Sequence, residues 1–199
     1  MGQLRHRRRR HGGGVAPVLV LGVDPGTATT GYGVVRATRP GDATLVECGV
    51  IRTKARDPLA SRLKEIHDGV AELIARHKPQ VLSVEAVFYA KNVRTTVVLG
   101  HARGVILLAG EQHGLLIHEI PPAEIKKAVA GTGAATKEQV QFMLTRLLRL
   151  KSVPTPSDAA DGVAAALAYC MGAHLARLAA VGATLSPRTR NTLIGGRGR

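Results

Sequence analysis

The sequence feature that most constrains the fold is the run VLVLGV at 18–23, which is apolar without interruption. Such a run predicts a strand buried on both faces, because a strand with one solvent face alternates apolar and polar residues. A sheet containing it must therefore be covered by helices on both sides. The turn sequence DPGTATTG follows directly, so Asp24 ends the strand.

Downstream, apolar runs typical of strands alternate with stripes typical of helices. Further strands are predicted at 32–38, 44–53, 80–85 and 115–120. Helices are predicted at 58–77, at 92–113, after Pro121-Pro122, at 137–149 and at 158–180, with Thr136 and Ser157 as caps of the last two. This order predicts an α/β fold, with a mixed five-stranded sheet flanked by helices.

The helix predicted at 92–113 is apolar on most sides in its second half, around Val105–Leu108. Such a helix must be covered by the core and by something else. A second copy of the chain is one cover, which makes this helix the candidate interface of a homodimer. A central position in the core of a single chain fits the same pattern.

Positive charge is concentrated at the two ends of the chain. The formal charge is +14, and nine arginines in residues 1–17 and 181–199, which hold no acid, leave +5 for residues 18–180. Residues 1–16 and 182–199 are therefore predicted to be disordered basic arms around a domain at 17–181. A polyanion such as nucleic acid is the expected partner, although a solubilising or cloning-related tail also explains the first arm.

Cysteine content and the absence of a targeting signal predict a cytoplasmic protein. The only cysteines are Cys48 and Cys170, which lack metal-binding spacing and favour a reducing compartment. The apolar run after the first arm is too short for a signal peptide or a membrane span.

Four carboxylates stand at the ends of predicted elements. Asp24 and Glu85 end the first and fourth strands, and Asp158 and Asp161 lie three residues apart at a helix start. If these ends meet, the carboxylates repel one another unless hard divalent cations join them. Singly, each has another reading: a turn residue for Asp24, a solvent-facing strand end for Glu85, and helix-dipole partners for the last two.

At these residues the sequence resembles a known family. VLGVDPGTATTGYGVV, SVEAVFYAKN, LGHARGV, GTGAATKEQV and SDAADGVAAALAYC look like successive motifs of the RuvC family of crossover junction endodeoxyribonucleases, over about residues 18–175. The resemblance implies an RNase H-like fold and a metal-dependent nuclease that resolves four-way (Holliday) junctions by paired nicks, in homologous recombination and DNA repair. It also implies a homodimer and the RuvAB branch-migration complex as a partner.

The same resemblance implies roles for individual residues. Asp24, Glu85, Asp158 and Asp161 would bind two Mg²⁺ or Mn²⁺ ions per site, as two-metal hydrolysis requires. Lys126 and Lys137 match basic positions near the scissile phosphate, although solvated helix lysines are an alternative. The expected DNA contacts are Phe88, as a wedge at the crossover, Tyr89, Lys91, Asn92 and Arg94. For one of the two rings a core position is the alternative.

Two other functions remain open at this stage. An actin-like ATPase or kinase shares a D-x-G-T loop, but it needs a second phosphate loop and a second domain, for which this chain is too short. A junction-binding protein without catalysis would keep the basic residues and have no use for the carboxylates.

Overall fold

A mixed five-stranded sheet forms the centre of the computed structural model, which describes residues 16–86 and 93–172. The strands are β1 (Val18–Asp24), β2 (Thr29–Arg39), β3 (Asp42–Arg52), β4 (Val81–Glu85) and β5 (Leu116–Ile120). They lie in the order β3-β2-β1-β4-β5, with β1, β4 and β5 parallel and β2 antiparallel to both its neighbours. The predicted sheet is confirmed.

Helices cover both faces of this sheet, as the buried first strand required. They are α1 (Leu59–His77), α2 (Val93–Gln112), α3 (Pro122–Ala130), α4 (Lys137–Leu147) and α5 (Ser157–Met171). Val20, Leu21 and Val23 of β1 are fully buried. Val20 packs in the core under α3, α4 and α5, whereas Leu21 and Val23 pack in the core under α1 and α2.

The β2–β3 hairpin is longer than predicted, because backbone pairing extends past the apolar residues at both ends. Thr29 pairs with Arg52, and Arg39 pairs with Asp42 across a turn in which Gly41 has a φ of 82°. That positive φ suits glycine, which has no Cβ to clash. The hairpin therefore reaches from the end of the sheet where β1 finishes to the opposite end.

One predicted helix cap is confirmed and the other is wrong. The hydroxyl of Thr136 accepts a hydrogen bond from the Gln139 amide, in a capping box that starts α4. Ser157 does not cap α5, because the helix begins one position earlier: Pro156 is the N-cap residue, and its carbonyl accepts from the Ala159 amide. No described helix combines the length and the apolar character needed to cross a membrane.

Several predictions fall wholly or partly outside the described residues. These are the second arm at 182–199, the first arm apart from residue 16, the end of the helix predicted to reach residue 180, and residues 87–92.

Candidate active site

Asp24 and Glu85 lie side by side because they end neighbouring parallel strands. Val23 of β1 is in register with Val84 of β4, so both strands finish at the same edge of the sheet. The two carboxylates also share a face. Ser83 donates a 2.9 Å hydrogen bond to the Ala165 carbonyl of α5, and alternation puts Glu85 on that same side.

Glycines bring the start of α5 down onto β2. A Cβ added to Gly31 would lie 1.8 Å from the carbonyl oxygen of Asp158, and one added to Gly162 would lie 2.5 Å from the Cα of Tyr32. No larger residue fits at either contact. This close packing places the first turns of α5, which carry Asp158 and Asp161, beside the end of β1.

Five of the six predicted catalytic residues line one open cavity of about 270 Å³. The cavity lies between the sheet edge, α3, α4 and α5. Its polar lining consists of Asp24, Glu85, Asp161, Lys126 and Lys137, and its apolar lining of Pro122, Ile125, Val140 and Ala164. Asp158 is not part of this lining, although it is half-buried one helical turn before Asp161.

The charges in the cavity act strongly on Asp24. Burial, followed by the charges of Glu85, Asp161 and Asp158, raises the pKa of Asp24 to about 7, against a lowering by Lys137. Burial and the charge of Asp161 also raise the pKa of Glu85, whereas Lys126 and Lys137 lower it. The ionised forms of Asp24 and Glu85 are therefore disfavoured in this cavity, and a bound cation would stabilise them.

Lys137 supplies one such cation from within the chain. It is the first residue of α4, and its Nζ donates a 2.7 Å hydrogen bond to Oδ2 of Asp161. This bond is the first cause of a raised pKa of Lys137, so the ammonium stays charged at neutral pH. Half of this side chain is exposed, which keeps the ammonium accessible to an incoming anion.

The donor set fits a hard divalent ion, but the ligands are not preassembled around one. Carboxylate oxygens are what Mg²⁺ and Mn²⁺ prefer, and the raised pKa of Asp24 shows three carboxylates acting on one group. However, no group of three Asp, Glu, His or Cys side chains within 16–86 and 93–172 is close enough to hold a metal ion. Three of the four predicted carboxylates, Asp24, Glu85 and Asp161, thus share a cavity without forming a finished coordination shell.

The predicted DNA contacts are mostly outside the described residues. Phe88, Tyr89, Lys91 and Asn92 fall in the segment 87–92, and only Arg94, exposed in the first turn of α2, is described.

Among the described residues, the helix α2 is buried on one side and exposed on the other. Ala102, Ile106 and Ala109 are fully buried, whereas Val97 is 52% exposed and Leu108 is 49% exposed. The sequence pattern left a homodimer interface and a central core helix open. The exposed side favours the interface, and the homodimer itself stays a prediction.

Sequence reasoning missed the contacts that fix the loop after Asp24. The guanidinium of Arg62, on α1, donates a 2.6 Å hydrogen bond to the Thr27 carbonyl and a 3.0 Å hydrogen bond to the Thr53 hydroxyl. The Thr53 hydroxyl itself donates a 2.5 Å hydrogen bond to the Thr27 carbonyl. Thr30 donates a further 2.6 Å bond to the Gly26 carbonyl. No pattern singled out Arg62, since an arginine beside an apolar stripe also fits a solvated helix face.

Known proteins resemble this chain over most of its length. The family model "Crossover junction endodeoxyribonuclease RuvC" matches residues 20–169. RuvC of Pelotomaculum thermopropionicum is 47% identical over 76% of this chain and 92% of its own length, and RuvC of Halorhodospira halophila is 49% identical over 75% and 88%.

Solved structures confirm the predicted RNase H-like fold. RuvC of Thermus thermophilus in complex with a Holliday junction substrate has a TM-score of 0.75 and 34% identity, covering 80% of this chain and 96% of that one. The yeast mitochondrial Holliday junction resolvase Ydc2 has a TM-score of 0.59, covers 82% of this chain and 84% of its own, and at 14% identity shares the fold alone. With a family match over most of its length, this chain belongs to the RuvC family of crossover junction endodeoxyribonucleases.

Proposed function

We propose that this chain resolves four-way DNA junctions by symmetric paired nicks that depend on divalent metal ions, in homologous recombination and DNA repair. The observation that carries the proposal is the cavity in which Asp24, Glu85 and Asp161 lie together with Lys126 and Lys137. The relative that binds a Holliday junction substrate, at 34% identity, supports the choice of DNA.

The carboxylates serve as metal ligands in this proposal. Asp24, Glu85 and Asp161 supply oxygens from the cavity wall, and Asp158 joins them from the first turn of α5. Two Mg²⁺ or Mn²⁺ ions, when bound, supply an activated water and neutralise the leaving oxygen of an in-line phosphodiester hydrolysis. Asp24 would be the central ligand of this set, because the charges of the other three carboxylates all act on it.

The two lysines act on the phosphate. Lys126 and Lys137 line the same cavity as the carboxylates, from α3 and α4. Ammonium groups placed beside a phosphodiester stabilise the extra negative charge that develops in the transition state. The hydrogen bond to Asp161 holds the Lys137 ammonium at the cavity until a phosphate oxygen replaces Asp161 as the acceptor.

A junction with two-fold symmetry needs two cuts, which one site per chain cannot make. We therefore propose a homodimer with C₂ symmetry, formed through the exposed side of α2. Phe88 and Tyr89 are proposed to stack on bases at the crossover, with Lys91, Asn92 and Arg94 on backbone phosphates. RuvAB remains the proposed partner complex. We also propose a cytoplasmic location, where chromosomal DNA would be the substrate.

The experiment that tests this function is incubation with a labelled synthetic four-way junction in Mg²⁺, Mn²⁺ or EDTA, with linear duplex as the control substrate. The expected result is a pair of nicks at symmetric positions in the junction, in either metal, with none in EDTA or in duplex. Asp24→Asn should bind the junction without nicking it. Metal-independent cleavage, equal cleavage of duplex, or nicking by Asp24→Asn would overturn the proposal.

A further inference from the structure

A second basic segment lies outside the predicted DNA contacts. Residues 52–62, RTKARDPLASR, join β3 to α1 and contain four basic side chains and one acidic side chain. Arg52, Lys54 and Arg56 are exposed. None of these three forms an ion pair with any other residue in the described part of the chain, unlike Lys64, Arg76, Arg103 and Lys137. Their charge is therefore not neutralised by acidic side chains there.

This segment lies at the same edge of the sheet as the candidate active site. Asp24 pairs with Gly31 of β2, and Arg52 pairs with Thr29 two residues further toward that edge. Two strand spacings separate β3 from β1, which is roughly 10 Å. Cys48 packs against the core under α5, so alternation along β3 puts Arg52 on the face that carries Asp24.

The segment is held rigidly to the loop that follows Asp24. The Thr53 amide donates a 3.1 Å hydrogen bond to the Ala28 carbonyl, and Arg62 bonds both Thr27 and Thr53. The start of α1 adds partial positive charge, because it has no side-chain cap and no acid in its first turn. The backbone next to the three exposed cations is therefore fixed relative to the loop that follows Asp24.

We propose that Arg52, Lys54 and Arg56 form a binding surface for the phosphate backbone of one duplex arm of the junction, beside the active site. This β3–α1 basic surface rests on the proposed function, since it takes the same substrate. Three exposed cations that have no acidic partner within residues 16–86 and 93–172 suit contact with several phosphates.

The test is a change in the salt dependence of junction binding. Full-length wild type is compared with the triple variant Arg52→Gln, Lys54→Gln, Arg56→Gln. The matched control is Arg36→Gln, Arg39→Gln, Lys78→Gln, which removes three exposed charges at the far end of the sheet. Affinity for a labelled four-way junction is measured in EDTA between about 50 and 200 mM salt.

The expected result is a slope of log affinity against log salt that is smaller by about 2–3 in the triple variant, because each lost phosphate contact removes about 0.9. The control should keep the wild-type slope, and each single substitution should remove about 1. Thermal unfolding of every variant checks that it is folded. A triple variant with the wild-type slope, or a control that loses as much, overturns the inference.

Failure of the inference is separable from failure of the proposed function. Wild type that binds and nicks the junction, together with an unchanged slope in the triple variant, overturns only the β3–α1 basic surface. Wild type that neither prefers nor cleaves the junction overturns both.

Discussion

Nζ of Lys137 donates a 2.7 Å hydrogen bond to Oδ2 of Asp161, which joins the first residue of α4 to the second turn of α5. The pair sits in the wall of the cavity that Asp24 and Glu85 also line. An ammonium thus occupies the neighbourhood of a proposed metal ligand, and it is the charge that a substrate phosphate would meet there.

Lys137→Gln should slow junction cleavage while leaving junction affinity largely intact. The cleavage rate should fall on the order of 10²-fold, because one preorganised donor to the developing charge is lost. Single-turnover kinetics measure this rate. Lys127→Gln is the control, since Lys127 is an exposed lysine on α3 that does not line the cavity. Equal rates for wild type and Lys137→Gln would contradict the assigned role.

The raised pKa of Asp24 predicts a pH-dependent stability in the absence of metal. The fold raises the pKa of Asp24 from its ordinary value of 3.8 to about 7, so the folded protein binds the proton more tightly than the unfolded chain. The stabilisation this provides is complete below about pH 4 and is lost as pH rises toward and through 7. In EDTA, this contribution should lower the unfolding temperature of wild type between pH 5 and 8, relative to Asp24→Asn.

The measurement is thermal unfolding of wild type and Asp24→Asn across that pH range, with and without Mn²⁺. At pH 8, Asn at position 24 should raise the unfolding temperature in EDTA, and Mn²⁺ should stabilise wild type more than the variant. If the unfolding temperatures of the two proteins in EDTA changed with pH in parallel, Asp24 would not be held in an unfavourable charged state.

Gly31→Ala should destabilise the protein, because the added Cβ would lie 1.8 Å from the Asp158 carbonyl oxygen and must push α5 away from β2. Overpacking of this kind costs about 1–3 kcal/mol or more. Urea unfolding compares it with Gly104→Ala on α2, whose added Cβ meets no atom within 4 Å. Similar free energies of unfolding for the two variants would refute the close approach of α5.

Val97→Glu should separate the proposed dimer, because it puts a charge on the exposed apolar side of α2. Sedimentation should show a dimer for wild type and a monomer for the variant, and junction cleavage should change from paired to unpaired nicks. Phe142→Glu on α4, where Phe142 is 61% exposed, is the matched control. A Val97→Glu variant that remains dimeric would place the interface elsewhere. A monomeric wild type would contradict the proposed dimer.

The residues that sequence predicted well are those whose position follows from strand order. Asp24 and Glu85 each end an apolar run, and a parallel pairing of the two runs is enough to put them at one edge. Lys126 and Lys137 were singled out through the family resemblance, and both line the cavity with them. Thr136 was predictable because a capping box is local chemistry.

What the sequence did not predict depends on contacts between distant segments. Arg62 fixes Thr27 from 35 residues away, and nothing in its own neighbourhood indicates that its guanidinium turns inward. The fit of Gly31 against Asp158 likewise depends on how closely α5 approaches β2. The start of α5 at Ser157 was misjudged because a serine before an acidic turn suits a cap as well as a first helical residue.

The central claim is that carboxylates from β1, β4 and α5 form one site for divalent ions. Calorimetric titration of Mn²⁺ into wild type and into Asp24→Asn, both at pH 8 and without DNA, tests it most directly. Wild type should bind Mn²⁺, and its affinity should be at least about tenfold higher than that of the variant, which loses the proposed central ligand. Equal affinity in the two proteins, or no binding to wild type, would contradict it.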